Sequence, residues 1–202
     1  MTERLLPIVE EQGKVTSILR ILKREPWPQK LLSEIMQYDT ATFDHSLRTG
    51  VIAFDISSSL NLSPKDISQL ALAGFLHDIG KLAVPYDVLN AGTLNPERKE
   101  EFFEEHADRG KRIVEPYDHQ VAEIIGGHHI EQAEQTLRSS VNPLLAFRQR
   151  IVTIADQVDS LISKRPYKKS WSPQAVSNHL NSLFESPEMI NVAINSRVKM
   201  AA

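Results

Sequence analysis

The sequence predicts an all-α fold, and three observations predict it. Five of the eleven prolines directly follow a Ser or Asn, at Ser63-Pro64, Asn95-Pro96, Asn142-Pro143, Ser172-Pro173 and Ser186-Pro187, the pairing that starts helices. Between those starts apolar residues recur at helical spacing, as in Ile151, Ala155, Val158 and Ile162. No sustained two-residue alternation bounded by turn dipeptides competes with them.

The elements follow in order. Helices near 2–12, 14–24 and 28–38 form an N-terminal extension, punctuated by Pro26-Trp27-Pro28. A helix near 44–60 puts His45, Ile52 and Ile56 on one face. The helix from Pro64 to about 78 has Asp66 in its first turn, where it complements the dipole, and is apolar nearly all round by Leu70 to Leu76. A helix near 96–114 starts at Asn95-Pro96 with Glu97 behind it and aligns His106 with Phe102, Phe103, Gly110 and Ile113. The next, near 118–129, sets His128 below Val121, Ile124 and Ile125. Helices near 143–163, 173–184 and 187–199 each begin at a capped proline, whose missing N–H would have had no intrahelical partner. Lys164 to Trp171 is a basic loop. The division is a 1–38 extension followed by one helical domain over 39–202.

Composition narrows the function. The 202 residues carry 23 Lys and Arg against 26 Asp and Glu, a net charge of −3, which argues against a nucleic-acid polymer held by bulk charge. With no Cys, thiolate zinc sites, iron–sulfur clusters and Cys nucleophiles are excluded. The longest apolar run, Leu70 to Leu76, is far short of the roughly 18 residues of a membrane span, and the first residues include acids where a signal peptide is apolar. The expectation is a cytoplasmic protein without a membrane partner.

Several polar residues continue apolar faces: His45, His77, Asp78, His106, His128 and His129, with Asp156 one residue beside the Ile151, Ala155, Val158 stripe. A lone buried histidine is more often a hydrogen-bonded core residue, and His119 and His179 read as ordinary surface or packing histidines. Burying seven such groups together costs a few kcal/mol each unless they share a compensator, and a metal supplies one. Five imidazoles and two carboxylates exceed the demand of one four- to six-coordinate ion but match two divalent ions sharing a bridging carboxylate, for which Asp78 is the natural choice.

The series His45, then His77-Asp78-Ile79-Gly80-Lys81, then His106 with Gly110, then His128-His129, then Asp156 with Asp159 resembles the HD superfamily of metal-dependent phosphohydrolases. It is most similar to the HD-GYP branch, which hydrolyses cyclic di-GMP in bacterial signalling. HSLR at 45–48, LHDIGKLAVP at 76–85, RIVTIADQVDSL and RPYK at 165–168 add to the likeness, which covers residues 41–185. The resemblance implies an HD-domain helical bundle in which His45, His77, Asp78 and Asp156 hold one ion and Asp78, His106, His128 and His129 the other. Iron or manganese come first, with cobalt, nickel or zinc as alternatives. Such ions activate water for in-line attack, so no protein nucleophile is needed. Lys81, after the Gly80 turn, would aim at a phosphate oxygen or leaving group, and Arg165 and Lys168 would contact substrate phosphates. Asp159 would orient a ligand or cap a loop, while Arg48, Arg109, Lys111 and Arg112 read as solvated faces.

Two departures matter. No Gly-Tyr-Pro follows His128-His129, and neither Gly nor Tyr occurs from 130 to 143. The position one turn before His45, which carries Glu in trinuclear members, is Ala41, which fits two ions rather than three. The reading is a dinuclear phosphohydrolase of degenerate HD-GYP type acting on a cyclic dinucleotide such as cyclic di-GMP. The alternatives are a phosphatase of nucleotides or other phosphomonoesters, and a catalytically silent nucleotide- or partner-binding module. The N-terminal helices are candidates for a dimerisation arm giving a homodimer, a regulatory lid or extra core.

Overall fold

The computed structural model describes residues 12–90, 105–129, 142–163 and 170–200. Among these the chain is helical: α1 Gln12–Lys23, α2 Pro26–Tyr38, α3 Thr40–Ser59, α4 Pro64–Leu76, a 3-10 turn Ile79–Ala83, α5 Tyr86–Asn90, α6 His106–Val114, α7 His119–Gly126, α8 Pro143–Ile162, α9 Pro173–Leu183 and α10 Pro187–Lys199.

The caps explain most starts. Ser63, Asn142 and Ser172 each accept a bond from the backbone N–H three residues on, at 3.0–3.2 Å, and a proline follows each one. Ser186-Pro187 also begins a helix, yet the Ser186 side chain makes no cap bond. Asn95-Pro96 and the expected helix near 2–12 lie outside the described residues, as do 96–104 of the expected helix near 96–114.

Four of the boundaries that differ from the sequence expectation bear on the site or have a local cause. Helix α2 begins at Pro26 instead of 28, its first proline serving as the first helical residue. Helix α3 begins at Thr40 because Asp39 Oδ2 accepts the Thr42 N–H at 2.6 Å. Helix α4 stops at Leu76, so His77 and Asp78 stand in the turn that follows it. Helix α7 stops at Gly126, and His128 and His129 follow the Gly127 cap in a loop rather than lying below Ile124 and Ile125 on a helical face.

Helix α3 is the hub, packed along α4, α8 and α10, and α6 lies against the 3-10 turn and α7. At the α3–α4 crossing Gly50 and Gly74 meet, and a Cβ on Gly50 would sit 2.2 Å from the Phe75 ring. The shared core includes Phe43, Leu47, Phe75, Ile151, Ile154 and Ile190. Helices α1 and α2 put Ile18, Leu22, Leu32 and Ile35 into that same core. Among the described residues, no helix is long and apolar enough to cross a membrane.

Candidate metal centre

Three backbone features bring the polar residues together. Asp39 caps the start of α3, and His45, five residues into the helix, is buried along with Phe43 and Leu47. The end of α4 turns His77 and Asp78 into the same space, and the Gly126-Gly127 stop of α7 delivers His128 and His129 from the opposite side. The 3-10 turn after Asp78 packs directly on the start of α6 because residue 80 lacks a side chain. A Cβ there would lie 1.9 Å from His106 O and 2.8 Å from Gly110 N, both backbone atoms that cannot rotate away. Gly80→Ala is therefore expected to destabilise the fold by about 3 kcal/mol, seen as a lower urea midpoint. A midpoint unchanged from the wild type would contradict that packing.

Asp78 sits between two groups of imidazoles. Its Oδ2 is 3.3 Å from His77 Nε2 and 3.7 Å from His45 Nε2, while its Oδ1 is 3.3 Å from His106 Nε2. His106 Nε2 lies 3.3 Å from the Nε2 atoms of both His128 and His129. Asp156 Oδ1 is 3.0 Å from His45 Nε2 and 3.8 Å from His77 Nε2. The seven residues singled out in the sequence thus meet in one place, as His45, His77 and Asp78 on one side and His106, His128 and His129 on the other, each set within 4.8 Å, with Asp156 beside His45.

The far ring nitrogens show what this cluster suits. His77 Nδ1 donates to Gly74 O at 2.9 Å and His128 Nδ1 to Ile125 O at 2.7 Å. A carbonyl only accepts, so in each neutral ring Nε2 carries a bare lone pair. His45 Nδ1 donates to the Asp159 carboxylate at 2.7 Å, so this ring too turns Nε2 inward and offers its lone pair there once it is neutral. His77 Nε2 is buried without a hydrogen-bond partner. Imidazole Nε2 atoms gathered with carboxylate oxygens, three of the rings backed by an oxygen acceptor on the other nitrogen, are the donor set of a divalent cation site, and the residues present fit such ions.

His128, His129 and the carboxylates are held in their ligand forms, whereas His45 keeps a proton that a cation would have to displace. Burial, then the neighbouring imidazoles, push His128 well below the ordinary histidine range, and burial with His106 beside it pushes His129 to about 4. Burial would lift the Asp78 carboxyl, but His77 and Lys81 outweigh it and hold the group well below the carboxylate range. Asp156 and Asp159 are likewise held low against burial by His45, and Asp159 also by Arg48. Burial would lower His45, yet its hydrogen bonds to Asp156 and Asp159 raise it to about 9.

In the chelator-stripped chain His129 and His45 make stability depend on pH in opposite senses. Between pH 6.5 and 4 the unfolded chain takes up a proton that folded His129 refuses, so stability falls as pH falls through that window. Folded His45 keeps a proton that the unfolded chain releases near 6.5, so its contribution is full below 6.5 and is lost as pH rises through about 9. Urea midpoints of the stripped chain are expected to peak near pH 6.5. A midpoint still rising between pH 7 and 9 would show this balance to be wrong.

Around the cluster, Lys81 Nζ lies 2.6 Å from Asp78 Oδ2. Arg165 and Lys168 fall outside the described residues, as does 130–141 of the segment that lacks Gly-Tyr-Pro. Asp159 is fully buried and accepts from His45, Arg48, Ser163 and Arg197. Arg48 therefore departs from the solvated face expected of it, since its guanidinium holds Asp159 at 2.7 and 3.1 Å. Arg109 and Lys111 pair with Glu105 and Glu123 near the surface. His119 is exposed beside Glu115, and His179 packs edge-on to Trp171. Arg197 was not singled out in the sequence. Its signal was available, because it continues the Ile190, Ala193, Ile194 face of α10 as a buried arginine.

Residues 14–185 match a family model described as HD domain. The cyclic di-GMP phosphodiesterase response regulator RpfG of Xanthomonas campestris pv. campestris is 26% identical over 200 residues, covering 94% of this chain and 53% of that protein. A cyclic di-GMP phosphodiesterase of Thermotoga maritima is 28% identical over 171 residues, 80% of this chain and 46% of that protein. The 3'3'-cGAMP-specific phosphodiesterase 1 of Vibrio cholerae is 30% identical over 142 residues, 68% of this chain and 32% of that protein. The chain thus spans about half or less of these curated relatives. The HD domain of the L. monocytogenes phosphodiesterase PgpH, solved in complex with cyclic-di-AMP, superposes with a TM-score of 0.58 at 16% identity, covering 85% of this chain and 94% of that one. At that identity the likeness concerns the fold.

Proposed function

Because the chain belongs to the HD-domain family, we propose that it is a metal-dependent phosphodiesterase of degenerate HD-GYP type that hydrolyses a cyclic dinucleotide such as cyclic di-GMP. The observation that carries this reading is the convergence of imidazole Nε2 atoms on the two oxygens of a single buried carboxylate, Asp78, with His77 Nε2 left without a hydrogen-bond partner. His45, His77, Asp78 and Asp156 would hold one divalent ion, and Asp78, His106, His128 and His129 the other. Bound there, iron or manganese ions would supply an activated water and neutralise charge on the phosphoryl oxygens.

The chain's own residues do the rest. Asp159 keeps the His45 ring turned with Nε2 toward the cluster, and Gly74 O and Ile125 O do the same for His77 and His128. Lys81, one turn beyond Asp78 and about one-fifth exposed, brings an ammonium to the rim of the cluster, where it meets a substrate phosphate oxygen. Arg165 and Lys168 are proposed to contact the substrate phosphates. The names of the relatives support a cyclic dinucleotide over a monoester.

The test is hydrolysis of cyclic di-GMP, 3'3'-cGAMP and cyclic-di-AMP by manganese- or iron-loaded protein, with a parallel screen of phosphomonoesters. Linear dinucleotide or mononucleotide products from a cyclic substrate are expected, with loss of turnover on chelation. Turnover of monoesters alone would replace the diesterase reading with a phosphatase one. Nucleotide binding without turnover would favour a silent module, consistent with the missing Gly-Tyr-Pro.

A further inference from the structure

We infer that Arg197, on α10, is a positioning residue for the metal centre: acting through Asp159, it fixes the His45 ring so that Nε2 stays aimed at the cation position. The inference rests on the metal-centre reading above and deepens it. Arg197 lies beyond the 14–185 segment that matches the family model.

The side chain is buried, and its Nε donates to Asp159 Oδ1 while Nη2 donates to Ser163 Oγ at 3.0 Å. Ser163 Oγ in turn donates to the same Asp159 oxygen at 3.2 Å, and Ser163 N closes α8 on Asp159 O at 2.9 Å. With Arg48 Nε also on Oδ1 at 2.7 Å, that oxygen has three donors, drawn from α3, α10 and the end of α8. The carboxylate is then held against rotation, with Oδ2 presented to His45 Nδ1 at 2.7 Å. Arg48 stands on the helix that carries His45, three residues on, so it shifts when that helix shifts. Arg197 adds a fixed point from a different helix.

The neighbouring residue strengthens the case. Ser196 Oγ donates to Asp55 on α3, and Asp55 also takes the Lys14 ammonium from α1. Two adjacent residues of α10 therefore fasten onto α3 and α8, the helices that carry His45 and Asp156, whose facing atoms are 3.0 Å apart. A guanidinium suits this post because its planar fork reaches Asp159 and Ser163 together, which an ammonium on a flexible stem does less well.

The test is titration of the full chain, stripped of metal, with Mn2+, followed by electron paramagnetic resonance at a temperature where circular dichroism shows every variant folded. Arg197→Met is expected to weaken Mn2+ binding about tenfold, with Arg197→Lys recovering part of the loss. In an Asp159→Asn background Arg197→Met should cause no further loss, because the pathway is already cut. Binding within twofold of the wild type, or the same loss in both backgrounds, would overturn the inference and leave the metal centre standing. A wild-type chain that takes up no Mn2+ would overturn the metal centre, and this inference with it. Should Arg197→Met not fold, Arg197→Gln carries the same expectations.

Discussion

On the proposed function, Asp78→Ala is expected to strip the protein of metal and to lower phosphodiesterase turnover by about a thousandfold or more, equivalent to roughly 4 kcal/mol of transition-state stabilisation. The two oxygens of Asp78 face different imidazole sets, with His77 and His45 toward one and His106 toward the other. On the proposed function, removing it would delete a ligand from both ion positions at once. It also leaves the imidazoles gathered round a space with less negative charge to offset a cation, while Lys81 loses the carboxylate it contacts. Elemental analysis of the purified variant checks the first effect and kcat/KM the second. A variant that keeps two ions per chain and turns over within tenfold of the wild type would remove Asp78 from the bridging position.

Asp159→Leu is expected to be the most damaging change to the fold among the residues around the cluster. Asp159 is fully buried and takes bonds from Arg48 and Arg197, whose side chains are 22% and 10% exposed. Without it, two guanidiniums are left in the interior with no anion between them, a loss of about 3–5 kcal/mol by analogy with other broken buried pairs. In a domain of this size that corresponds to a Tm lower by roughly 10 °C. His45 would lose the acceptor on Nδ1 that turns its Nε2 inward, so metal affinity should fall about 10- to 100-fold in whatever fraction stays folded. Calorimetry and Mn2+ titration separate the two effects. A Tm within 2–3 °C of the wild type, a difference worth only about 1 kcal/mol, would show that the arginines find other partners.

The sequence carried much of this in readable form, and the physical reason is the same in each case. A Ser or Asn before a proline states where a helix begins, since the cap and the absent N–H act within three residues of each other. A histidine on an apolar face states that it is buried, since the face is set by local periodicity. What local periodicity cannot give is the partner across the core. Arg48 looked solvated because nothing within its own helix told of Asp159, 111 residues away. Arg197 meets the same carboxylate from 38 residues on, a distance at which spacing carries no information. The loop placement of His128 and His129 was within reach, because two successive glycines end α7 just before them, and the periodic reading ran through that stop.

The contact between the 3-10 turn and the start of α6 is made by main chain on main chain, with room at residue 80 for hydrogen only. The gap between Asp78 and His106 is thereby ruled by peptide geometry and hardly by the identity of nearby side chains. On the proposed function, such a chassis would leave the segments that select a nucleotide to drift while its spacing stays constant. Selectivity and hydrolytic capacity can then be inherited, lost or redesigned as separate traits.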